Sequence, residues 1–507
     1  MPAYLRRVLG AYLSDRWVMY TDAGGGMQRR QVDRGVPQGS VLGPLLWNLG
    51  YDAVLRAPLP QGVSVTCYAD DTLVLARGED EESTRRAAEE GTNRVVASIE
   101  GMGLRVAVEK TEALWFRAPR SRRPPETHLR VGRAAVRVGE NLKYLGLTLD
   151  GTWSFGQHFN RLAPRLERTA AALSRLLPNI GGPREGVRRL YASVMQSIAL
   201  YGAPIWAPDL AASRRSRELL RGSWRRIAVR IIRGYKTVSH EAAGLLARLP
   251  PLELLAEAHA RVYRDRAALR QERGNPDQAA DELARLRARE AVWETWEARL
   301  RELPRLADHW TVGTILPIMQ DWRDRCHGGS TYRMTQVLTG HGCFGEYLRR
   351  IGKEATARCH HCPEGSGELE DSARHTLFEC AAWSTEREAL RGKIGGDDFS
   401  LPAIVAAMAR EEESWQAMAS FCESVMSQKE AAEREREAVA AAALRRERQE
   451  DIGAARLRPV RPRLDRADTG RPEGTPRGRG GGRASQVLDP NRPPASLELE
   501  VAALLSG

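Results

Sequence analysis

The stretch Val63–Arg77 reads VSVTCYADDTLVLAR. Two apolar runs rich in β-branched residues, 63–69 and 72–77, flank the adjacent carboxylates Asp70 and Asp71. Such runs around a short polar break predict a β-hairpin with the two aspartates at its tip. Like charges this close repel each other, and a bound Mg²⁺ removes that cost because it prefers carboxylate oxygens. The pattern predicts either a magnesium site or a solvated turn, since Asp is also common in turns.

A glycine-rich segment, RGVPQGSVLGPLLWN, precedes this hairpin and runs from Arg34 to Asn48. It predicts a tight loop followed by a helix, with Ser40 as the N-cap and Pro44 in the first turn. Glycines allow a backbone to approach a ligand closely, although an ordinary loop into a core helix has the same composition. The candidate binding residues of the loop are Gly35, Pro37, Gln38 and Gly39.

In their order and separation, these two segments resemble motifs B and C of a reverse transcriptase. They are most similar to the LINE-type (non-long-terminal-repeat) retrotransposon enzymes. Downstream, LRVAVEKTEALWF at 104–116 resembles motif D, with Lys110 at the lysine position of the family. NLKYLGLTLD at 141–150 resembles motif E, the primer grip, centred on Tyr144, Leu145 and Gly146. Taken singly, each of these two strands also reads as an ordinary core strand.

The resemblance implies an RNA-directed DNA polymerase, a nucleotidyltransferase encoded by a transposable element. Its partners would be an RNA template, a DNA primer or target, and deoxynucleotides. The resemblance implies that, in the intact family protein, Asp70 and Asp71 would help to hold two Mg²⁺ ions while the primer 3′-hydroxyl attacks the α-phosphate of the nucleotide. The resemblance also implies that the loop residues contact nucleotide and template. Tyr68 would then lie near the primer terminus, and Lys110 would give a proton to pyrophosphate.

A third metal-binding aspartate is expected on motif A, a strand upstream of motif B. Asp15 follows the predicted first helix and Asp22 lies in a Gly-rich turn, so neither fits. We therefore expect the chain to lack motif A, the fingers and the endonuclease domain, and to be the C-terminal part of a larger polyprotein. Such a fragment is expected to be weak or inactive as a polymerase when alone.

Residues 151–304 read as helices, which the resemblance identifies as the thumb and connector. The segment Arg214–Lys236 has an apolar stripe of Leu220, Trp224, Ile227 and Ile231. Its other face is basic, which suits contacts with phosphates. A solvated basic face is the alternative, because amphipathic helices commonly have one. The basic residues are Arg214, Arg215, Arg217, Arg221, Arg225, Arg226, Arg230, Arg233 and Lys236.

A cysteine and histidine cluster has the spacing C-x2-C-x12-H-x4-C and consists of Cys359, Cys362, His375 and Cys380. Thiolate and imidazole ligands suit tetrahedral Zn²⁺, and four of them make a closed structural site. His360 and His361 lie inside the CxxC turn, where the geometry disfavours them as ligands. The cluster resembles the CCHC zinc knuckle that follows LINE-type reverse transcriptases, which implies binding of nucleic acid.

The composition agrees with a nucleic-acid partner. The chain has 507 residues, a formal net charge of +12 and a pI near 9.6. Arginine supplies most of this charge and suits phosphate recognition. Of the seven cysteines, four are isolated in sequence, which indicates a reducing compartment rather than a disulfide framework. No apolar run reaches the roughly 20 residues needed to span a bilayer. We expect a soluble, intracellular protein, nuclear or cytoplasmic.

The predicted fold class is α+β. It combines a partial right-hand polymerase palm, made of an antiparallel sheet with helices, with a mostly helical remainder. The expected organisation is palm at 1–150, helical thumb and connector at 151–304, a linker with the zinc knuckle at 305–390, a long helix at 391–450, and a disordered Arg/Pro/Gly-rich tail at 451–507. Within the fourth region, the helical pattern runs over 401–450. The alternative functions are a noncatalytic nucleic-acid-binding protein and a palm remnant used for protein interaction. His341, in the Gly-broken segment before the knuckle, has no role that the residues explain.

Overall fold

The structure is a computed structural model that describes residues 1–118, 127–274, 277–306, 309–363, 369–456 and 499–505. The chain forms two compact units. The first comprises Met1–Leu162 together with Arg492–Gly507, and the second comprises Ala163–Asn491. Helices combine with small sheets, so the predicted α+β class is confirmed.

Helices and short strands alternate in the first unit. Its helices are α1 (Ala3–Leu13), α2 (Gly43–Leu55) and α3 (Glu81–Gly101). Its strands are β1 (Trp17–Thr21), β2 (Met27–Gln31), β3 (Val63–Tyr68), β4 (Asp71–Gly78), β5 (Glu112–Phe116), β6 (His128–Val131), β7 (Ala134–Gly139), β8 (Asn141–Tyr144), β9 (Leu147–Asp150) and β10 (Leu499–Leu505).

Six strands form the main sheet, in the order β3-β4-β10-β5-β7-β6. Every neighbouring pair is antiparallel except β5 and β7, which run parallel. The predicted antiparallel sheet is therefore a mixed sheet with one parallel pair. The hairpins β1–β2 and β8–β9 form two separate two-stranded sheets.

The predicted hairpin at residues 63–77 is confirmed. β3 and β4 pair from Val63 opposite Ala76 to Tyr68 opposite Asp71, which leaves a two-residue turn at Ala69 and Asp70. Asp70 thus lies in the turn, and Asp71 is the first residue of β4.

One face of β4 builds the core of this unit. Thr72, Val74 and Ala76 alternate along the strand and are buried. Val74 and Ala76 share one apolar cluster with Val54 of α2 and Val95 of α3. The period of two along β4 therefore holds the hairpin against both helices.

The strand β10 lies between β4 and β5. It pairs with 72–78 on one side and with 112–116 on the other, with Leu505 opposite Thr72. The prediction of a disordered tail over 451–507 is wrong for residues 499–505, which form β10, and for residues 451–456, which belong to α17. Residues 457–498 lie outside the described part. Without β10, the facing edges of β4 and β5 would have unpaired backbone N–H and C=O groups. Hydrogen-bond ladders to both of these strands stabilise β10 between them.

The second unit is helical. Its helices are α4 (Gly156–Arg175, which begins in the first unit), α5 (Glu185–Ala199), α6 (Ala203–Ala212), α7 (Arg214–Ile231), α8 (His240–Ala247), α9 (Leu252–Arg273), α10 (Gln278–Arg301), α11 (Trp310–Ile315), α12 (Met319–Asp324), α13 (Tyr332–Thr339), α14 (Gly345–Arg350), α15 (Ser384–Ile394), α16 (Leu401–Arg410) and α17 (Glu412–Arg456). α6 and α10 pack on α9, whereas α13, α15 and α16 pack on α17.

Two sequence expectations about these helices can be compared with the structure. The apolar stripe of α7 is confirmed, because Leu220, Trp224, Ile227 and Ile231 are all buried. The helix expected over 401–450 is instead interrupted at Glu411, whose φ of −130° and ψ of 133° are extended and separate α16 from α17. None of the helices in the described ranges is both long and apolar enough to cross a bilayer.

Replacing a β10 residue with proline tests the central position of this strand. N–H groups of successive strand residues point to opposite neighbours, so Ala502→Pro and Ala503→Pro each remove a donor to a different one. We expect each variant to lose about 1–3 kcal/mol of stability. In hydrogen-exchange mass spectrometry, the variant that loses the donor to β4 should show faster exchange mainly in 72–78. The variant that loses the donor to β5 should show faster exchange mainly in 112–116.

Ala502→Ser and Ala503→Ser serve as controls, since they keep the backbone donors. Wild-type exchange rates in both segments for both proline variants would contradict the pairing of β10 with β4 and β5.

Candidate active site and metal centre

The hairpin tip presents two carboxylates in different surroundings. Ala69 has a φ of 53°, which is the left-handed conformation of a tight hairpin turn. The indole Nε1 of Trp47 donates to the carbonyl oxygen of Ala69 at 3.0 Å, which fixes the turn against α2. Asp70 is exposed, as is Tyr68 beside it, whereas Asp71 is partly buried. The tip is therefore held by backbone and indole contacts, and its two carboxylates differ in exposure.

Electrostatics at the tip favour a positive ligand. Partial burial raises the pKa of Asp71, and the charge of Asp70 raises it further. Burial also raises the pKa of Tyr144, and the charges of Asp71 and Cys67 add to this. Tyr144 of the β8–β9 hairpin therefore lies within electrostatic range of Asp71. A divalent cation at the tip would relieve the repulsion between the two carboxylates.

A third carboxylate does not join this pair among the described residues. The metal-ligand cluster found there consists of cysteines and a histidine in the other unit. On the open side of β4, the β10 strand places Leu505 opposite Thr72 and Leu504 opposite Leu73. The neighbouring strand therefore brings leucines, rather than an acidic residue, to this end of the hairpin.

The loop before α2 has the tight geometry that its sequence predicts. Gly35 and Gly39 adopt φ values of 75° and 83°, which disfavour side chains larger than hydrogen. Pro37 and Gln38 lie between them and are exposed. Arg16 Nη1 donates to the carbonyl oxygen of Gly35 at 2.6 Å, which anchors the loop to the start of β1.

Ser40 is not the N-cap of α2, contrary to the prediction. The helix begins at Gly43, with Leu42 at the cap position and Pro44 in the first turn, as expected. Ser40 Oγ instead donates to the carbonyl oxygen of Pro37 at 2.8 Å and accepts from Gly43 N–H at 3.1 Å. Its Oγ also lies 2.5 Å from the hydroxyl of Tyr12, so a contact with α1 engages this serine within the loop.

The remaining predicted site residues lie at two turns. Lys110 ends a 3-10 turn over Val108–Lys110 and is exposed. Leu145 and Gly146 form the turn between β8 and β9, with φ values of 45° and 83°. This is the left-handed pair of a two-residue hairpin turn, so the tight turn expected at Tyr144–Gly146 is present.

The second unit brings together Cys359, Cys362, His375 and Cys380. Their ligand atoms all lie within 4.8 Å of one another. The Sγ of Cys380 lies 3.9 Å from that of Cys359 and 3.7 Å from that of Cys362, and the Cys362 Sγ lies 3.3 Å from His375 Nε2. Two thiolates at zinc-bond length around a tetrahedral ion are about 3.8 Å apart. The donor set and its spacing therefore fit Zn²⁺.

The surroundings of the cluster favour a thiolate at Cys359 and place a carboxylate behind the histidine. Hydrogen bonding to Cys380, together with backbone N–H groups in the CxxC turn, lowers the pKa of Cys359. The same bond raises the pKa of Cys380. His375 turns Nε2 toward the sulfurs, and its Nδ1 lies 3.6 Å from a carboxylate oxygen of Glu379. A carboxylate behind a metal-binding histidine orients the ring and raises its basicity.

The two neighbouring histidines point elsewhere, as the spacing predicts. His361 packs against Trp383 with 5.0 Å between ring centres. His360 Nε2 lies 3.5 Å from a carboxylate oxygen of Glu354. Neither belongs to the cluster of four ligands.

Sequence reasoning missed a buried ion pair beneath the cluster. Lys429 of α17 donates to Asp371 Oδ1 at 2.5 Å, and both side chains are at least nine-tenths buried. Asp371 also accepts from Gly345 N–H at 3.0 Å and from Thr376 Oγ1 at 3.3 Å. It thus joins α17, the start of α14 and the His375 turn. The available signal was that Lys429 continues the apolar stripe of α17, which contains Met418, Cys422 and Val425.

Much of the basic face of α7 is occupied within the chain. Arg214 pairs with Glu218 at 2.7 Å, and Arg221 pairs with Glu241. The other internal contacts are from Arg217 to the carbonyl oxygen of Ala211, from Arg225 to those of Lys236 and Val238, from Arg230 to Asn179, and from Arg233 to the carbonyl oxygens of Gly181 and Pro183. Arg215 and Arg226 are exposed, and neither forms an ion pair with a described residue.

The Asp371–Lys429 pair predicts a large difference between two lysine substitutions. Lys429→Met leaves Asp371 as an unpaired buried charge, so we expect a loss of about 3–5 kcal/mol in unfolding free energy. Lys353 is a matched control, since it pairs with Glu437 at 2.7 Å on the exposed side of α17. Lys353→Met should cost less than about 1 kcal/mol. Equal losses in urea denaturation would contradict a buried pair.

Comparison with known proteins supports the sequence resemblance. The family described as reverse transcriptase (RNA-dependent DNA polymerase) matches residues 4–149. This range contains the loop before α2, the hairpin with Asp70 and Asp71, and most of the β8–β9 hairpin. No solved structure matches the chain.

Several curated relatives come from mobile elements. The chain is 29% identical over 413 residues to a 115 kDa protein in the type-1 retrotransposable element R1DM of Drosophila melanogaster, which covers 78% of this chain and 38% of that protein. It is 25% identical over 373 residues to a retrovirus-related Pol polyprotein from a type-1 retrotransposable element R1 of Nasonia vitripennis, with coverage of 70% and 86%. It is 27% identical over 211 residues to the RNA-directed DNA polymerase from the mobile element jockey of Drosophila melanogaster, with coverage of 40% and 23%.

The lengths differ among these relatives. The chain spans well under half of the R1DM protein and of the jockey polymerase, but most of the Nasonia protein. The chain therefore contains a reverse transcriptase domain and is homologous to proteins of R1 and jockey elements, which are non-long-terminal-repeat retrotransposons.

Proposed function

We propose that the first unit is the palm portion of an RNA-directed DNA polymerase, which extends a DNA primer with deoxynucleotides on an RNA template. The helices that follow it would be the thumb and connector. The observation that carries this proposal is the hairpin tip, where Asp70 and Asp71 lie side by side within the range that matches reverse transcriptases.

The two adjacent carboxylates would hold Mg²⁺ by their oxygens. Bound Mg²⁺ would supply activation of the primer hydroxyl and neutralisation of charge on the phosphates. Trp47 contributes by holding the turn in place through the carbonyl oxygen of Ala69. A fixed turn limits the conformations of Asp70 and Asp71, so less conformational entropy is lost when the ion binds.

The substrate contacts would come from neighbouring elements. The exposed loop of Gly35, Pro37, Gln38 and Gly39 would contact nucleotide and template, because its glycines permit close backbone approach. Tyr68, at the exposed end of β3, would pack near the primer terminus. The turn at Tyr144, Leu145 and Gly146 would position the primer strand, and Lys110 would give a proton to the leaving pyrophosphate.

Polymerisation by this family requires a third carboxylate at the same ions. The described residues supply two, and the strand next to β4 offers leucines at the corresponding end. We therefore expect the chain by itself to bind Mg²⁺ weakly and to extend primers little. A further acidic residue has to approach the tip for efficient catalysis.

Primer extension on a primed RNA template tests this expectation. With Mg²⁺ and the full chain, we expect extension to be at least about 100-fold slower than a complete retroviral reverse transcriptase assayed in parallel, because single electrostatic contacts in active sites are worth factors of this size. Asp71→Asn should abolish whatever extension remains. Asp52→Asn changes a partly exposed carboxylate on α2 that pairs with Arg56, and it should leave the extension unchanged. Robust Mg²⁺-dependent extension that is lost in Asp71→Asn would refute the need for a further carboxylate.

A second candidate function is nucleic-acid binding without catalysis, which we propose for the second unit. The observation in its favour is that the zinc-type ligand set is complete within the unit, with all four ligand atoms clustered. Zn²⁺ would join the CxxC turn to the His375 turn and so stabilise a CCHC knuckle. Exposed arginines such as Arg215 and Arg226 would contribute contacts with phosphates.

Zinc removal should separate this function from polymerisation. Cys380→Ser removes a ligand, so we expect it to lose the single equivalent of bound zinc, measured by atomic absorption. We also expect about tenfold weaker binding of a labelled RNA, because the knuckle loses its fold. His361→Ala lies between the ligands in sequence but outside the cluster, and should change neither quantity. Unchanged RNA affinity of Cys380→Ser across a salt series would count against a role for the knuckle.

A further inference from the structure

The segment Gly340-His341-Gly342, between α13 and α14, is held rigidly. A Cβ atom at Gly342 would lie only 2.0 Å from Gln336 Oε1, so this position requires glycine. Gln336 is buried, donates to Glu430 at 2.8 Å and accepts from Cys343 N–H at 3.1 Å. The backbone around His341 is therefore fixed by a buried side chain.

The ring of His341 has a defined protonation state. Its Nε2 lies 3.3 Å from Arg350 Nη2, and its Nδ1 lies 2.9 Å from Thr237 Oγ1. A guanidinium can only donate, so Nε2 accepts and Nδ1 carries the proton that goes to Thr237. Burial lowers the pKa of His341 to about 4, and the charges of Arg350 and Arg225 contribute to this. The imidazole is neutral at neutral pH.

Arg350 is therefore held in place by neutral groups. Besides the imidazole, it lies over the ring of Tyr347, 5.2 Å from the ring centre. Tyr347 is itself fixed, since its hydroxyl lies 2.8 Å from Thr237 Oγ1. Other arginines of this unit pair with carboxylates, as Arg333 does with Glu430 and Arg436 with Glu354. Among the described residues, no carboxylate forms an ion pair with Arg350.

This oriented cation faces a cavity beside the cysteine cluster. The cavity is lined by the first residues of α8 and α11, the Gly340–His341 turn, α14, and the residues just before His375. Arg374 and Trp310 contribute a second cation and an aromatic side chain, and Glu346 is an acidic residue in the wall. Arg374 is mostly exposed and has one carboxylate neighbour, Glu379, at 3.4 Å.

We propose that this cavity binds a phosphodiester group of a single-stranded nucleic acid, with Arg350 contacting the phosphate and His341 positioning Arg350. An unneutralised guanidinium in a fixed orientation is suited to phosphate oxygens, which it binds through two parallel N–H groups. The concave site favours a flexible single strand over a duplex. The indole of Trp310 offers a surface for an unstacked base. The proposal rests on the nucleic-acid-binding function proposed above, and it identifies a contact separate from the zinc ligands.

Fluorescence anisotropy with the zinc-loaded full chain tests this assignment. The probes are labelled single-stranded oligo(U) and oligo(dT), titrated at several salt concentrations. Each lost phosphate contact on a single strand lowers the slope of log affinity against log salt by about 0.7. We expect Arg350→Gln to weaken binding about 5- to 20-fold with this loss of slope, equally for both probes. Arg349→Gln is the matched control, because it removes the same charge from the adjacent exposed residue; it should weaken binding less than about twofold.

Substitutions of His341 test its positioning role. His341→Gln keeps a neutral acceptor for Arg350 and should retain more affinity than His341→Leu, while both keep the wild-type salt slope because the charge remains. Thermal unfolding confirms that each variant is folded.

The inference is overturned if Arg350→Gln and Arg349→Gln behave alike, or if the effect of Arg350→Gln is confined to oligo(U), which would indicate a ribose contact instead. Failure of the wild-type chain to bind either probe would overturn the nucleic-acid-binding function as well. Normal binding that is insensitive to Arg350→Gln would overturn this inference alone.

Discussion

The spacing between neighbouring strands limits which residues can add a third carboxylate to the candidate active site. Neighbouring strands lie about 4.8 Å apart, whereas Mg²⁺ holds its oxygen ligands at about 2.1 Å. A third carboxylate on a strand is therefore best placed to share an ion with Asp71 when its strand lies directly beside β4. One neighbour of β4 is β3, its own hairpin partner, and the other is β10. The position beside β4 is occupied by β10, which completes the hydrogen-bond ladder there. A strand that carried a third carboxylate would need the same position.

The hairpin and the loop before α2 could be predicted because their determinants are local. Alternating β-branched residues define β3 and β4, and the short polar break defines the turn at Asp70. The start of α2 was less accurate for a tertiary reason. Ser40 has the side chain of an N-cap, but its Oγ lies against Tyr12 of α1. A contact with a residue 28 positions away cannot be inferred from the spacing around the serine.

Two of the features that sequence reasoning missed depend on distant partners. Leu499–Leu505 follow a long stretch rich in arginine, proline and glycine, and the composition of that stretch led to a prediction of disorder for the whole tail. The strand pairs with residues in the first 120 positions of the chain. Lys429 and Asp371 are 58 residues apart, and each would be expected at the surface if considered alone. Burial of such a pair is stable only when both charges enter the interior together, which depends on the packing of α17 and not on either local pattern.

The same distinction between local and distant determinants separates the two proposed functions. All four cysteine and histidine ligands lie between residues 359 and 380, so one short segment with its supporting helix can form the whole site. The proposed carboxylate site would need a further group from a different part of the polypeptide, and its geometry would depend on which strand lies beside β4. On these two proposals, nucleic-acid binding would depend on a local cluster of residues, whereas catalysis would depend on the strand that lies beside β4. The contacts of Arg350 with the neutral side chains of His341 and Tyr347 also have local determinants, since the three residues lie within ten positions. Thr237 is the contributor from elsewhere in the sequence.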